Sequence, residues 1–160
     1  MNLRSSVSLW PVPLLVALAS CGREGTPTQP SASRSFLEGM WTGALVIERA
    51  GQPPSSGAAT WTFVAVPGTN QQTFNVTIQS QHAWLPISTT VTSAITPSNQ
   101  PPARISTQGT YASPRGCSGS LLSVGNAETR TIEADFSGVD CPSPEGSTFM
   151  GRVSLTKSGG

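Results

Sequence analysis

The chain of 160 residues predicts an all-β domain: a single eight-stranded antiparallel up-and-down β-barrel, with a two-sheet β-sandwich as the alternative. Three observations lead there. From Phe36 onward, short runs rich in Val, Ile, Thr and aromatic residues are cut by clusters of Pro, Gly, Asn and Ser. Several of those runs alternate between apolar and polar residues, as a half-buried strand does. No segment sustains a helical period.

The breaks are Gln52–Gly57, Pro67–Asn70, Pro97–Pro101, Ser113–Gly116 and Pro142–Gly146, all of them residues that favour turns. Between them the sequence predicts strands over 40–49, 58–66, 72–80, 86–95, 103–111, 117–124, 131–138 and 147–156. In the third run, Phe74, Val76 and Ile78 share one face, and Thr73, Asn75, Thr77 and Gln79 share the other. The same pattern puts Trp41, Leu45 and Ile47 on one face, and likewise Trp61 with Phe63, Ile132 with Ala134 and Phe136, and Phe149 with Val153 and Leu155. Eight strands with one dry face must close on themselves or split into two packed sheets to bury it.

The residues before the domain have a different composition. Arg4 precedes an apolar segment, Val7–Ala19, that is interrupted by Pro11 and Pro13. This is too short to span a bilayer core, which needs about 20 apolar residues, and it has the parts of a secretory signal. Residues 22–35 hold no large apolar side chain, so burial cannot offset the entropy of ordering them. The predicted organisation is a signal peptide over 1–20, a disordered tether over 21–35, the barrel domain over 36–157 and a flexible tail over 158–160.

The leader ends in Leu18-Ala19-Ser20-Cys21, which resembles the lipobox of bacterial lipoproteins. That resemblance implies cleavage before Cys21 and lipidation of its thiol, with the membrane as partner through the anchor. It places the protein in the bacterial cell envelope. Gly22, where inner-membrane retention usually shows Asp, gives an outer-membrane address, facing the periplasm or the cell surface. At the start of the domain, Gly39-Met40-Trp41 is similar to the G-x-W that opens the first strand of lipocalins and avidin-like proteins, which implies a structural, buried Trp41.

Charge excludes one class of partner. Of nine basic side chains, Arg4 lies in the leader, so the chain from Cys21 carries eight, against eight acidic ones. Lys157 is the single lysine. Such a balance gives no basic face for phosphate backbones, and nucleic acid is not expected.

Cysteine use agrees with export. Cys117 and Cys141 remain after Cys21 is lipidated, and an even pair in an oxidising compartment predicts a disulfide. Bridged Cα atoms must lie within about 7 Å. A two-residue hairpin at Gly125-Asn126 would put Cys117 opposite Ala134, far from Cys141. A longer loop over Gly125–Arg130 would put it opposite Gly138, so the bridge favours the longer loop.

Catalytic and metal-binding sets are sparse. His82 is the single histidine, in Ser80-Gln81-His82-Ala83-Trp84, with no nucleophile-elbow sequence around it, and it is expected to be a solvated loop residue. Glu133 and Asp135 share the face opposite Ile132, Ala134 and Phe136, as solvated charges do. No metal ligand set, cofactor or enzymatic activity is expected.

The remaining question is the barrel interior. Small residues, Ala59, Ala65, Thr107, Gly109 and Gly151, are mixed with the inward rings, and this either leaves a slot or fits a taper. The first functional expectation is a small, largely apolar ligand held against Trp61 and Phe63, with Trp84 or Tyr111 at the mouth. The alternative is a non-enzymatic interaction module, such as a hydrolase inhibitor, that contacts an envelope protein. For the anchor, mass spectrometry of membrane-extracted protein should find an acylated amino terminus at Cys21; an unmodified mature chain that starts elsewhere would contradict it.

Overall fold

In the computed structural model, which describes residues 35–96, 100–141 and 147–159, the chain folds into eight strands. They are β1 (Gly39–Glu48), β2 (Ser55–Ala65), β3 (Thr73–Ser80), β4 (Ser88–Thr96), β5 (Ala103–Ala112), β6 (Ser118–Ala127), β7 (Thr131–Asp140) and β8 (Ser147–Lys157). Each pairs antiparallel with the next, and β8 returns to pair with β1 from Trp41↔Lys157 to Glu48↔Met150. The sheet is a closed up-and-down barrel, not a sandwich. Closure leaves no strand edge open to pair with another chain.

The alternation read from the sequence is the alternation of burial. Phe74, Val76 and Ile78 of β3 face inward and are buried, as are Trp41, Leu45 and Ile47 of β1 and Ile132, Ala134 and Phe136 of β7. The outward positions of β3, Thr73, Asn75, Thr77 and Gln79, are polar, and Asn75 and Gln79 are exposed. This polarity is the reverse of a membrane-spanning barrel, whose apolar band faces out.

Bulky neighbours fill the space beside several of the small inward positions: Val91 lies against Gly109, and large rings lie over three other glycines. Phe136 is directly paired with Gly151, and its ring occupies the place of the missing side chain: a Cβ there would meet ring atoms at 2.8 Å. Phe149 covers its partner Gly138 in the same way, and Tyr111 covers Gly119. The other small pair, Ser93 and Thr107, is buried and satisfies itself, with Thr107 Oγ1 and Ser93 Oγ 2.9 Å apart. Large beside small across neighbouring strands is how a narrow barrel reaches interior density.

One end is plugged by the segment that enters β1. A turn closes with Glu38 N–H donating to Ser35 O at 3.1 Å, and Leu37 and Trp41 are fully buried. Trp41 Nε1–H donates to Leu37 O at 2.8 Å. Lys157, from the last strand, bonds to Phe36 O and sits 5.3 Å from the Trp41 ring centre. First and last strands are thus tied at the closed end, and Trp41 is a structural residue.

The β6–β7 connection differs from both loops considered from the sequence. β6 continues through Gly125-Asn126 to Ala127, and the turn falls at Glu128–Thr131, with Glu128 N–H donating to Thr131 O at 2.8 Å. The resulting register pairs Ser120 with Val139. This register is shifted by four positions from the one that sets Cys117 opposite Gly138. Slips by an even number keep every side chain on its face, so alternation cannot distinguish these registers. Gly125 looks like a turn residue but sits where strand backbones approach closely: a Cβ there would lie 2.2 Å from Glu133 O.

Candidate functional site

The four candidate ligand residues fall into two groups. Trp61 and Phe63 are core. Phe63 is 1% exposed and packs against Trp41, Trp61 and Phe74 with ring centres 6.4, 6.2 and 6.1 Å away. Beside Trp61 the interior holds a cavity of about 20 Å³, bounded by Ile78, Leu85, Leu121, Phe136 and Phe149 among others. Small-molecule sites occupy roughly 300–1,000 Å³, so this space is a packing defect in scale. Ser123, which also borders it, has a buried Oγ without a hydrogen-bond partner.

Trp84 and Tyr111 lie at the other end of the barrel, where β1, β3, β5 and β7 end. The loop after β3, residues 81–87, folds across the mouth. Gln81 N–H donates to Ala58 O at 2.9 Å, Leu85 N–H to His82 O at 3.0 Å, and Leu85 and Ile87 are buried. This close approach requires Gly57 on β2, where a Cβ would come within 2.5 Å of His82 Cα. The aromatic-bearing loop is thus a lid and not a projecting arm.

His82 is buried at 1% exposure, contrary to the solvated loop residue expected from sequence. Its backbone and ring both bind the lid together. His82 Nδ1 accepts from Trp84 N–H at 3.1 Å, which leaves Nε2 to carry the proton and donate to Ser55 Oγ at 3.0 Å. A base that activates serine needs the opposite tautomer, with Nε2 accepting and Nδ1–H held by a carboxylate. This Ser–His pair is a structural clasp.

Around Trp84 the rim gathers charge. The Arg49 guanidinium lies 4.5 Å from the Trp84 ring centre and that of Arg115 5.8 Å, and Phe149 meets the ring edge-on at 5.5 Å. Arg115 Nε is 3.5 Å from Asp140 Oδ2, and Tyr111 O–H donates to Asp140 Oδ1 at 3.0 Å. A continuous chain of contacts therefore runs Tyr111, Asp140, Arg115, Trp84, Arg49. Asp140 is buried, and its two oxygens are held by different partners. Burial of the Tyr111 phenol, with the hydrogen bond to Asp140 and that carboxylate's charge, raises its pKa well above the ordinary value near 10; Arg115 opposes this.

Arg49, Arg115 and Asp140 carry no motif in the sequence. Their signal is topological: in an up-and-down barrel, residues just after odd-numbered strands share one end. Arg49 follows β1, Arg115 follows β5 and Asp140 ends β7.

Cys117 and Cys141 stand at disulfide distance, with Cα atoms 5.5 Å apart, and pin β6 to the end of β7 beside Asp140. Cys141 takes a left-handed backbone, φ 67°, as the strand ends. Asp140 shares a cluster with the two sulfurs. Sulfurs joined as a disulfide are not thiolate ligands. Cys21 lies outside the described residues. Glu133 and Asp135 face outward: Glu133 accepts from Ser154 Oγ at 2.6 Å, and Asp135 pairs with Arg152 at 3.2 Å, both side chains largely exposed. Asp135 borders an outer groove with Val46, Leu122, Val124 and Met150, and Glu133 and Asp135 border a second one with Arg104 and Asn126.

The fold and this rim define a small closed β-barrel with a packed core and a cationic, aromatic open end. Compared with protein-family models, with curated proteins and with solved structures, the chain matches none.

Tyr111 is the single tyrosine, so its titration is directly observable. The fold retains a phenolic proton that the unfolded chain releases above pH about 10; this stabilisation is complete below that pH and is lost as pH rises from there through the raised folded value. Tyrosinate absorbance should therefore appear only together with alkaline unfolding. Asp140→Asn should cost about 1–3 kcal/mol and bring the ionisation nearer the ordinary range. Tyrosinate that forms near pH 10 in folded wild-type protein would contradict the buried pair.

Proposed function

We propose that the protein is a lipid-anchored module of the bacterial cell envelope that acts by recognition at its outer surface, without catalysis. The observation that carries this reading is the filled interior. Rings cover Gly119, Gly138 and Gly151, the lid buries Leu85 and Ile87 across the mouth, and the space beside Trp61 amounts to about 20 Å³. An interior ligand, the first expectation from sequence, would have to displace the core aromatics that hold the barrel together. The interaction module is the reading that this geometry supports better.

The lipobox-like Leu18-Ala19-Ser20-Cys21 and the polar stretch after it support an anchor and a tether, and an outer-membrane address facing the periplasm or the cell surface. The tautomer of His82 supports a non-enzymatic role, since it turns the nearest serine into an acceptor. Among the outer surfaces, the Arg49–Trp84–Arg115 rim is the best ordered for recognition. Its residues are held by stacking, an ion pair and a buried carboxylate, so little entropy is lost on contact. An envelope protein or another surface component is the partner class.

The test uses the mature chain, residues 21–160 with Cys21→Ser, and a small aromatic probe such as indole. Wild-type protein should show no saturable binding. Trp61→Ala should lose about 3–5 kcal/mol of stability and gain a probe site inside the barrel. One-to-one uptake by wild type, with quenching of interior tryptophan, would overturn the surface-recognition reading.

A further inference from the structure

We propose that the open rim binds a phosphate group, carried by a soluble or surface molecule, through the guanidinium groups of Arg49 and Arg115. This rests on the reading of the protein as a surface-recognition module and names the chemistry recognised.

In a chain with only 11% charged residues, two arginines from different loops meet at one tryptophan. Like charges gathered in this way repel, and the indole face offsets about 0.5–1 kcal/mol for each. Asp140 neutralises one of them. Its contact is with Arg115 Nε at 3.5 Å, and the Arg115 side chain is 47% exposed, which leaves its other N–H donors open to solvent. Among the described residues Arg49 has no carboxylate partner. The rim therefore presents, among the described residues, one uncompensated positive charge and two forks of donors.

Both forks are also held in place. Arg49 is stacked on Trp84, and Arg115 is tied to a carboxylate that Tyr111 fixes from the other side. Guanidinium forks match phosphate and carboxylate oxygens in pairs. A carboxylate has two oxygens and is used up by one fork, whereas a phosphate can share its three terminal oxygens between two. Phosphate is thus the better match.

The fold also bears on the source. The chain enters the barrel at Ser35, at the closed end, where Leu37 and Trp41 form the plug. The rim is at the opposite end. The rim therefore lies away from the point where the described chain begins, and the assigned source is a phosphorylated soluble or facing-surface molecule.

The experiment follows the arginine Nε–H resonances of residues 21–160, Cys21→Ser, during titration with inorganic phosphate, and with sodium chloride and acetate at equal ionic strength. Saturable shifts are expected at Arg49 and Arg115 and not at Arg104, Arg130 or Arg152, with acetate weaker. Arg49→Ala should weaken binding about tenfold. Arg115→Lys, which keeps the charge but loses the fork, should weaken it too. Uniform, unsaturated shifts at all arginines would overturn the proposal. Binding to phosphatidylglycerol vesicles without binding to free phosphate would overturn the assigned source. If phosphate fails while indole remains excluded from the interior, the phosphate site falls and surface recognition stands.

Discussion

The rest of the structure depends on one geometric constraint: an eight-stranded barrel is only wide enough to be filled by its own side chains. Here the filling is done by rings placed over glycines. Phe136 over Gly151, Phe149 over Gly138 and Tyr111 over Gly119 each pair the largest inward group with the smallest, on adjacent strands in direct register. Register and packing are therefore one problem. A slip along β7–β8 would part Phe136 from Gly151 and leave a ring against a backbone that cannot receive it.

The two ends solve the problem of closing differently, and the difference points toward function. At the closed end, apolar burial dominates, with Leu37 and Trp41 fully buried and Lys157 bonded to Phe36 O. At the open end, the lid contributes Leu85 and Ile87 to the core, yet above them lies a polar layer of Tyr111, Asp140, Arg115 and Arg49 around Trp84. A buried carboxylate carries a desolvation cost of several kcal/mol and is tolerated only when its oxygens are held. A barrel could be capped more cheaply with apolar residues, as the other end is. The polar rim is therefore the place where the structure departs from what stability alone requires.

Much of the fold is legible in the sequence because turn chemistry and alternation speak together. Pro- and Gly-rich breaks mark the loops, and the period of two assigns Phe74, Val76 and Ile78 inward with no reference to partners. A dry face on successive strands requires either closure or a split into two sheets, and the β8–β1 pairing decides for closure. The β6–β7 turn was not legible, because Gly125-Asn126 is a stronger local turn signal than Glu128-Thr129-Arg130, and even slips preserve the alternation. The glycine that suggests a turn answers instead to a close approach between strands. His82 was misread for a related reason: a histidine in a loop reads as solvated, and only the fold of the lid onto Gly57 buries it. The rim was hidden because Arg49, Arg115 and Asp140 are distant in sequence and become neighbours only after the barrel closes.

Closure and filling can be tested together by native-state hydrogen exchange along the β1–β8 ladder. In a closed, packed barrel the amides of Ala44 and Val46 on β1, and of Arg152 and Ser154 on β8, which bond across that seam, exchange as slowly as their counterparts between β6 and β7. If the β1 and β8 amides instead exchange rapidly while β3 to β6 stay protected, the sheet is open at that seam, and neither the filled interior nor the rim built on it would stand.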